Sequence, residues 1–464
     1  MEEGSLHIVV FPWLAFGHLL PFLGLSKSLA KRGDHISFLS TPRNILRLPK
    51  LPPSLAPLIE FIPIRLPPSD HLPNNAEATT DLLPDDVQYL KKAFDGLDQP
   101  IAKFLEQESP KPDWIIQDFT PYWLPPIAAK LHIPCAMFNT FPAYFSAFVW
   151  GEDGARMRGP PERLTVVPEW IPFPTTAVLR LFEARQFDYM LQVDASGVSA
   201  ADRFEMVVRR CKLMALRSCM ELDRQVLSTM SELFNMPVVP VGLLPPSVDE
   251  GGEKIASTSS MNIFRWLDKQ TPRSVVYVSL GSEATLSSEL VHELAFGLEL
   301  SGQPFLWALR RPAGMPKEVE LLPEGFEDRI AGNGMVTMDW APQTEILAHE
   351  SVGGFLTHGG WGSLVEGLGF GHPLVFLPVF GDQPINARVM VEKEIGVEVR
   401  SDEEDGSFKR DAVAQALRLV MVEEEGKKIR NEANKMKLIF GNKELQERCI
   451  DEFVRYLRDH KEKN

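Results

Sequence analysis

Two groups of side chains in this sequence carry the means for chemistry. The first is His18 together with Asp118, far downstream. Each stands just past a short apolar run, Leu6 to Phe11 and Trp114 to Gln117, that reads as a buried strand. An imidazole beside a carboxylate can take a proton while the carboxylate orients it and stabilises its charged form. A lone histidine near a helix start is more often structural, but an acid at the same sheet edge favours a catalytic pair. The second group lies between Trp340 and Gln383, in the stretch WAPQTEILAHESVGGFLTHGGWGSLVEGLGFGHPLVFLPVFGDQ.

Within that stretch a strand ending at Thr357 runs into His358-Gly359-Gly360-Trp361-Gly362-Ser363, after which a helix is expected. Glycines let backbone approach a ligand, and the unpaired N–H groups of a new helix favour a phosphate. His358 and Ser363 add side-chain donors, and Glu366 is placed to accept hydroxyl hydrogen bonds from a ribose. Taken alone, the turn fits equally a tight strand-to-helix junction with Ser363 as the helix cap.

The elements that must position these groups follow from the apolar spacing. Strand Leu6 to Phe11, loop Pro12 to His18, helix Leu19 to Lys31 and strand His35 to Ser40 form a β-α-β unit. Further strands are expected at Trp114 to Gln117 and Pro134 to Asn139, and a proline-rich loop from about Pro160 to Pro174. Gly242 to Ser260 has linker composition. Beyond it the pattern restarts, with strands Ser274 to Leu280, Pro304 to Arg310, Gly353 to Thr357 and Pro373 to Val379, and helices Ser287 to Ser301 and Ser363 to Phe370. The expected division is an acceptor-side domain over 1–243, a linker over 244–262, a second domain over 263–441, and a helix over 442–464 that packs back on the first. Two doubly wound α/β domains place a ligand cleft between their strands' C-terminal ends.

Composition narrows the chemistry. With 48 basic against 63 acidic residues, the net charge of -15 argues against nucleic acid as a partner and requires an anionic ligand to be held locally. Cys135, Cys211, Cys219 and Cys449 lack C-x-x-C spacing, so neither a disulfide framework nor zinc is expected, and a reducing cytoplasm fits. The opening residues read as neither a leader nor a membrane span, which needs about 20 apolar residues. No D-x-D occurs, and Asp402-Glu403-Glu404-Asp405-Gly406 reads as a solvated loop, so no metal cofactor is expected. G-x-G-x-x-G is missing after the first strand and G-x-S-x-G occurs nowhere, against a nicotinamide oxidoreductase and a serine hydrolase.

Along its full length the stretch Trp340 to Gln383 resembles the signature box of plant UDP-dependent glycosyltransferases (glycosyltransferase family 1), and Phe16-Gly17-His18-Leu19-Leu20-Pro21 resembles their catalytic histidine loop. The resemblance implies the two-domain GT-B fold and assigns roles. Trp340 would stack on uracil. Ala341 and Gln343 would meet the nucleoside, and His358, Gly362, Ser363 and Ser282 the diphosphate. Glu366 would bind the ribose, and Trp361, Asp382 and Gln383 the sugar. His18 would be the base and Asp118 its partner in an inverting displacement. The family usually has Cys-Gly-Trp-Asn-Ser where this chain has Gly359-Gly360-Trp361-Gly362-Ser363, so Gly362 removes an amide donor beside the phosphate. Phe11 to His18 and Ser40-Thr41-Pro42-Arg43-Asn44 look like the branch-forming subgroup, which extends a sugar already on a flavonoid or terpenoid glycoside. The implied activity is a monomeric enzyme using UDP-glucose. UDP-rhamnose as donor, an aglycone as acceptor, and a non-catalytic nucleotide-sugar binder remain as alternatives, the last separable by UDP release in the presence of an acceptor.

Overall fold

His7–Phe11 buries all five of its residues, as a strand covered by helices on both faces must. Trp114–Gln117, Cys135–Asn139 and Leu213–Leu216, in the same sheet, are likewise wholly buried. In the computed structural model, which describes residues 4–246, 258–311 and 320–461, the chain forms two parallel sheets. The first contains β1 (His7–Phe11), β2 (His35–Ser40), β3 (Ile59–Pro63), β4 (Trp114–Gln117), β5 (Cys135–Asn139), β6 (Leu213–Leu216) and β7 (Val238–Pro240), in the order β3-β2-β1-β4-β5-β6-β7. The second contains β8 (Val275–Ser279), β9 (Phe305–Ala308), β10 (Gly334–Thr337), β11 (Val352–Thr357), β12 (Leu374–Phe376) and β13 (Gly396–Glu398), in the order β10-β9-β8-β11-β12-β13. The architecture is α/β, with two Rossmann-like sheets of the GT-B type.

Both orders reverse direction once, between β1 and β4 in the first sheet and between β8 and β11 in the second. At such a point neighbouring connections leave toward opposite faces and open a crevice at the strand ends. His18 follows β1 and Asp118 follows β4, while Ser282 follows β8 and His358 follows β11. The topology therefore sets both groups of chemical residues at the crevices of their sheets.

Several boundaries differ from those read in the sequence. The first helix is Phe16–Ala30, so His18 stands in its opening turn and only Pro12 to Ala15 form the loop. The helix after the Gly-rich turn is Trp361–Gly369, beginning before Ser363. β12 ends at Phe376, so the residues up to Asp382 are loop. The proline-rich segment contains the 3-10 turn Pro161–Thr165. Of the segment read as a linker, 247–257 lies outside the described residues, and a helix, Thr258–Leu267, occupies its end.

The helix Lys443–His460 lies across the first domain. Phe453, Val454 and Leu457 share a buried cluster with Leu19, Phe22 and Trp114. Trp114 Nε1 donates to Leu457 O at 3.0 Å, and Arg32 pairs with Asp451 and Glu447 at 2.7 and 2.8 Å. The chain's last helix thus completes the core beneath the helix that bears His18. Phe453→Ala, at a fully buried site, is expected to cost about 3–5 kcal/mol. Urea denaturation followed by tryptophan fluorescence reads this as a lowered midpoint, and an unchanged midpoint would contradict the shared core.

Candidate active site

The imidazole of His18 is held from one side. Its Nδ1 lies 2.8 Å from Oδ2 of Asp118, and Thr140 Oγ1 stands 3.2 Å from the same nitrogen. A carboxylate only accepts, so in the neutral ring Nδ1 carries the proton and Nε2 presents its lone pair. Nε2 makes no hydrogen bond among the described residues. Asp118 is itself fixed, with Oδ2 accepting from Trp13 N at 3.0 Å and Oδ1 from Phe119 N at 2.8 Å. Its side chain is 2% exposed, against 14% for His18, so the acid is enclosed and the imidazole reaches the cleft. The rings of Phe119 and Phe141 flank the imidazole at 5.9 and 5.6 Å. Tyr144, Phe145, Phe148 and Trp150 are buried core.

Burial pulls the His18 pKa down. The charge of Asp118 and its hydrogen bond, with smaller contributions from Glu283 and Asp382 of the second domain, outweigh this and hold it above the ordinary value of 6.5. Asp382 moves the other way from a usual carboxylate: burial lifts it to about 6, against a hydrogen bond from Asn386 and the charge of His18. His18 and Asp382 therefore sense each other across the cleft.

The opposite wall is the Gly-rich turn. His358 lies against backbone on two sides: a Cβ on Gly281 would stand 2.7 Å from its Cε1, and one on Gly360 would stand 2.5 Å from its Nε2. Gly281 also has φ +78, a conformation that glycine adopts without strain. Burial drives His358 down to about 4, so at neutral pH it is an uncharged donor. The helix Trp361–Gly369 has Gly360 at its N-cap with no side-chain cap, leaving its first N–H groups to a ligand or water. Ser363, inside the first turn and 8% exposed, is therefore not the cap.

Gln343 opens the helix Gln343–Ala348 and donates from Nε2 to Glu366 Oε2 at 2.6 Å, while Tyr277 OH contacts Gln343 Oε1 at 3.4 Å. These bonds tie the two residues into one polar rim. Trp340 is 55% exposed, with the Arg310 guanidinium 5.5 Å from its ring centroid, and Ala341 follows it, partly buried. Asp382 is anchored by Asn386 Nδ2 at 2.6 Å, and the same amide group donates to Gly359 O at 3.0 Å. Gln383 accepts from Val379 N and Phe380 N at 2.9 and 3.1 Å, which leaves its NH2 end as the donor available to a ligand. Ser282 is half-buried beside Gly281. Trp361 opens the helix Trp361–Gly369. The residue is 5% exposed, and its indole packs on Phe440 and donates to Arg217 O at 3.0 Å.

Comparison with known proteins bears on this arrangement directly. Residues 218–439 match the family described as UDP-glucoronosyl and UDP-glucosyl transferase. UDP-glycosyltransferase 91C1 of Arabidopsis thaliana is 46% identical over 98% of this chain and 97% of its own length. The chain belongs to the UDP-glycosyltransferase family. It is a UDP-sugar-dependent glycosyltransferase of the plant family 1 type. Anthocyanidin-3-O-glucoside rhamnosyltransferase of Petunia hybrida is 35% identical over 98% of this chain and 96% of its own. The solved structure of Phytolacca americana UGT2 complexed with UDP-2fluoro-glucose and pterostilbene matches with a TM-score of 0.74 at 25% identity, covering 98% of this chain and all of that one. No helix among the described residues of the glycosyltransferase is long and apolar enough to cross a membrane.

Sequence reading missed several residues of this site. Thr140 stands against His18. Glu283 accepts from Thr79 Oγ1 at 2.5 Å across the two domains, and only its place next to Ser282 hints at it. Asn386 stands four residues after Asp382 on one helix face, a spacing that was legible.

The His18–Asp118 pair can be read without any substrate. In nitrogen-15 histidine-labelled enzyme, His18 should titrate above the ordinary histidine value. In Asp118→Asn burial remains while the negative charge is gone, so the pKa should fall. An identical titration in both proteins would contradict the coupling.

Proposed function

We propose that the enzyme transfers glucose from UDP-glucose to a hydroxyl of a sugar already carried by a flavonoid or terpenoid, in one displacement that inverts the anomeric centre. The observation that carries this reading is the His18–Asp118 pair at one crevice facing the His358 turn at the other. Nε2 of His18 takes the proton from the acceptor hydroxyl as its oxygen attacks the anomeric carbon, and UDP leaves from the opposite face. Asp118 holds the tautomer and stabilises the imidazolium that forms.

In this reading Trp340 stacks on uracil, with Ala341 and Gln343 beside the nucleoside and Glu366 on the ribose. Ser282, His358, Gly362, Ser363 and the helix N-terminus hold the diphosphate without a metal ion. Asp382, Gln383 and the backbone of Trp361 meet the sugar. The donor is supported by the Phytolacca structure, a complex with UDP-2fluoro-glucose, and the glycosylated acceptor by the Petunia relative, an anthocyanidin-3-O-glucoside rhamnosyltransferase. The same relative favours a second reading, with UDP-rhamnose as donor.

Mass spectrometry of products from UDP-glucose and UDP-rhamnose, each offered aglycones and their glycosides, separates these readings. Hexose addition to glycosides is expected. Reaction of aglycones alone would overturn the acceptor class, and reaction with UDP-rhamnose alone would overturn the donor. His18→Ala should still bind UDP while turnover falls about 10²–10⁴-fold, and a fully active variant would remove His18 from the mechanism.

A further inference from the structure

Arg217 follows β6 of the first sheet, yet its guanidinium lies against the Gly-rich turn of the second. The residue is 4% exposed. Nε donates to Leu243 O at 2.7 Å and Nη2 reaches Leu244 O at 3.5 Å, which fixes one edge of the fork. Its own carbonyl accepts from Trp361 Nε1, locking β6 to the start of the helix Trp361–Gly369. Nη1 makes no hydrogen bond among the described residues, and no carboxylate among them lies within 4 Å of the guanidinium. Burial pulls its pKa to about 10, with Glu366 acting the other way, so it is still a cation at neutral pH.

A buried cation without an ion-pair partner is costly unless an anion meets it. Nη1 stands 3.9 Å from where a Cβ on Gly362 would be. Gly362 has no positive φ and an added Cβ would clash with nothing, so the backbone does not demand glycine. A longer side chain at 362 would reach the guanidinium; glycine leaves that space open. The turn's own donors carry no full charge, since His358 is neutral there and Ser363 is a hydroxyl. In a protein of net charge -15 a dianionic ligand gains most from a local cation.

We propose that Arg217 reaches through the opening at Gly362 to hydrogen-bond the diphosphate of the bound UDP-sugar. The inference rests on the reading that the diphosphate lies at the His358 turn. Arg217 acts on ground-state binding and leaving-group charge, and it ties donor occupancy to the contact between the two domains.

Calorimetric titration of the purified enzyme with UDP and with uridine isolates the diphosphate. Arg217→Gln should weaken UDP roughly 10–100-fold, the range for a charge-assisted hydrogen bond, while uridine affinity stays at the wild-type level. Arg217→Lys, which keeps the charge, should recover part of the loss, and the salt dependence of UDP binding should flatten only in Arg217→Gln. Unchanged UDP affinity in Arg217→Gln, or equal losses for UDP and uridine, overturns the proposal. Ser363→Ala separates the two levels: weakened UDP binding there with none in Arg217→Gln sinks Arg217 alone, and no effect in either moves the diphosphate away from this turn. If Arg217→Gln fails to fold, Gly362→Leu, which fills the opening, should weaken UDP but not uridine, and wild-type binding of both would overturn the inference.

Discussion

Nδ1 of His18 and the carboxylate of Asp118, 2.8 Å apart, depend on two strands being neighbours. β1 and β4 pair in parallel, from Ile8 with Trp114 to Phe11 with Gln117, although these partners stand 106 positions apart in sequence. Because the strand order reverses between them, the residues leaving each strand meet at one crevice. The acid is then held from both strands' exits, by the N–H groups of Trp13 and Phe119, so it cannot turn away from the imidazole. Enclosure of the acid with partial exposure of the base leaves a single nitrogen, Nε2, for an acceptor.

The donor side answers to an electrostatic constraint. The chain is acidic, and carboxylates of the second domain, Glu283 and Asp382, already raise the affinity of His18 for a proton. A diphosphate placed there must be met by short-range donors rather than by the protein's overall field. Hence the uncapped helix start and the neutral imidazole packed on Gly281 and Gly360. The domains are joined close to these groups. Arg388 pairs with both carboxylate oxygens of Glu183 at 2.6 and 2.7 Å, Glu392 accepts from Thr175 and Thr176, and Trp361 bonds to Arg217. The closing helix Lys443–His460 touches both cores, through Phe453 on one side and Leu445 and Cys449 on the other.

Much of this was legible before the fold was known, for physical reasons that differ by region. Strands β2 and β4 were read to the residue because apolar runs bounded by turns have few alternatives. The box from Trp340 to Gln383 was legible because its chemistry is contiguous in sequence. β3, β6, β7, β10 and β13 were not: four of them are partly buried edge strands without a continuous buried run, and β6 is only four residues long. Missing β6 hid Arg217, whose approach to Gly362 exists only once the two sheets face each other. Trp361 stands inside the box, and its ring serves the core. Helix starts slipped by two or three residues because Gly17 and Gly360 look like loop in sequence.

The central claim is that a single base, His18, drives a single displacement at the anomeric carbon. The anomeric configuration of the product tests it most directly. With UDP-α-glucose as donor, proton NMR of the purified glycoside should show the large anomeric coupling of a β linkage, since one displacement inverts the centre. A product that keeps the α configuration would require two displacements or a front-face path, and would contradict the account.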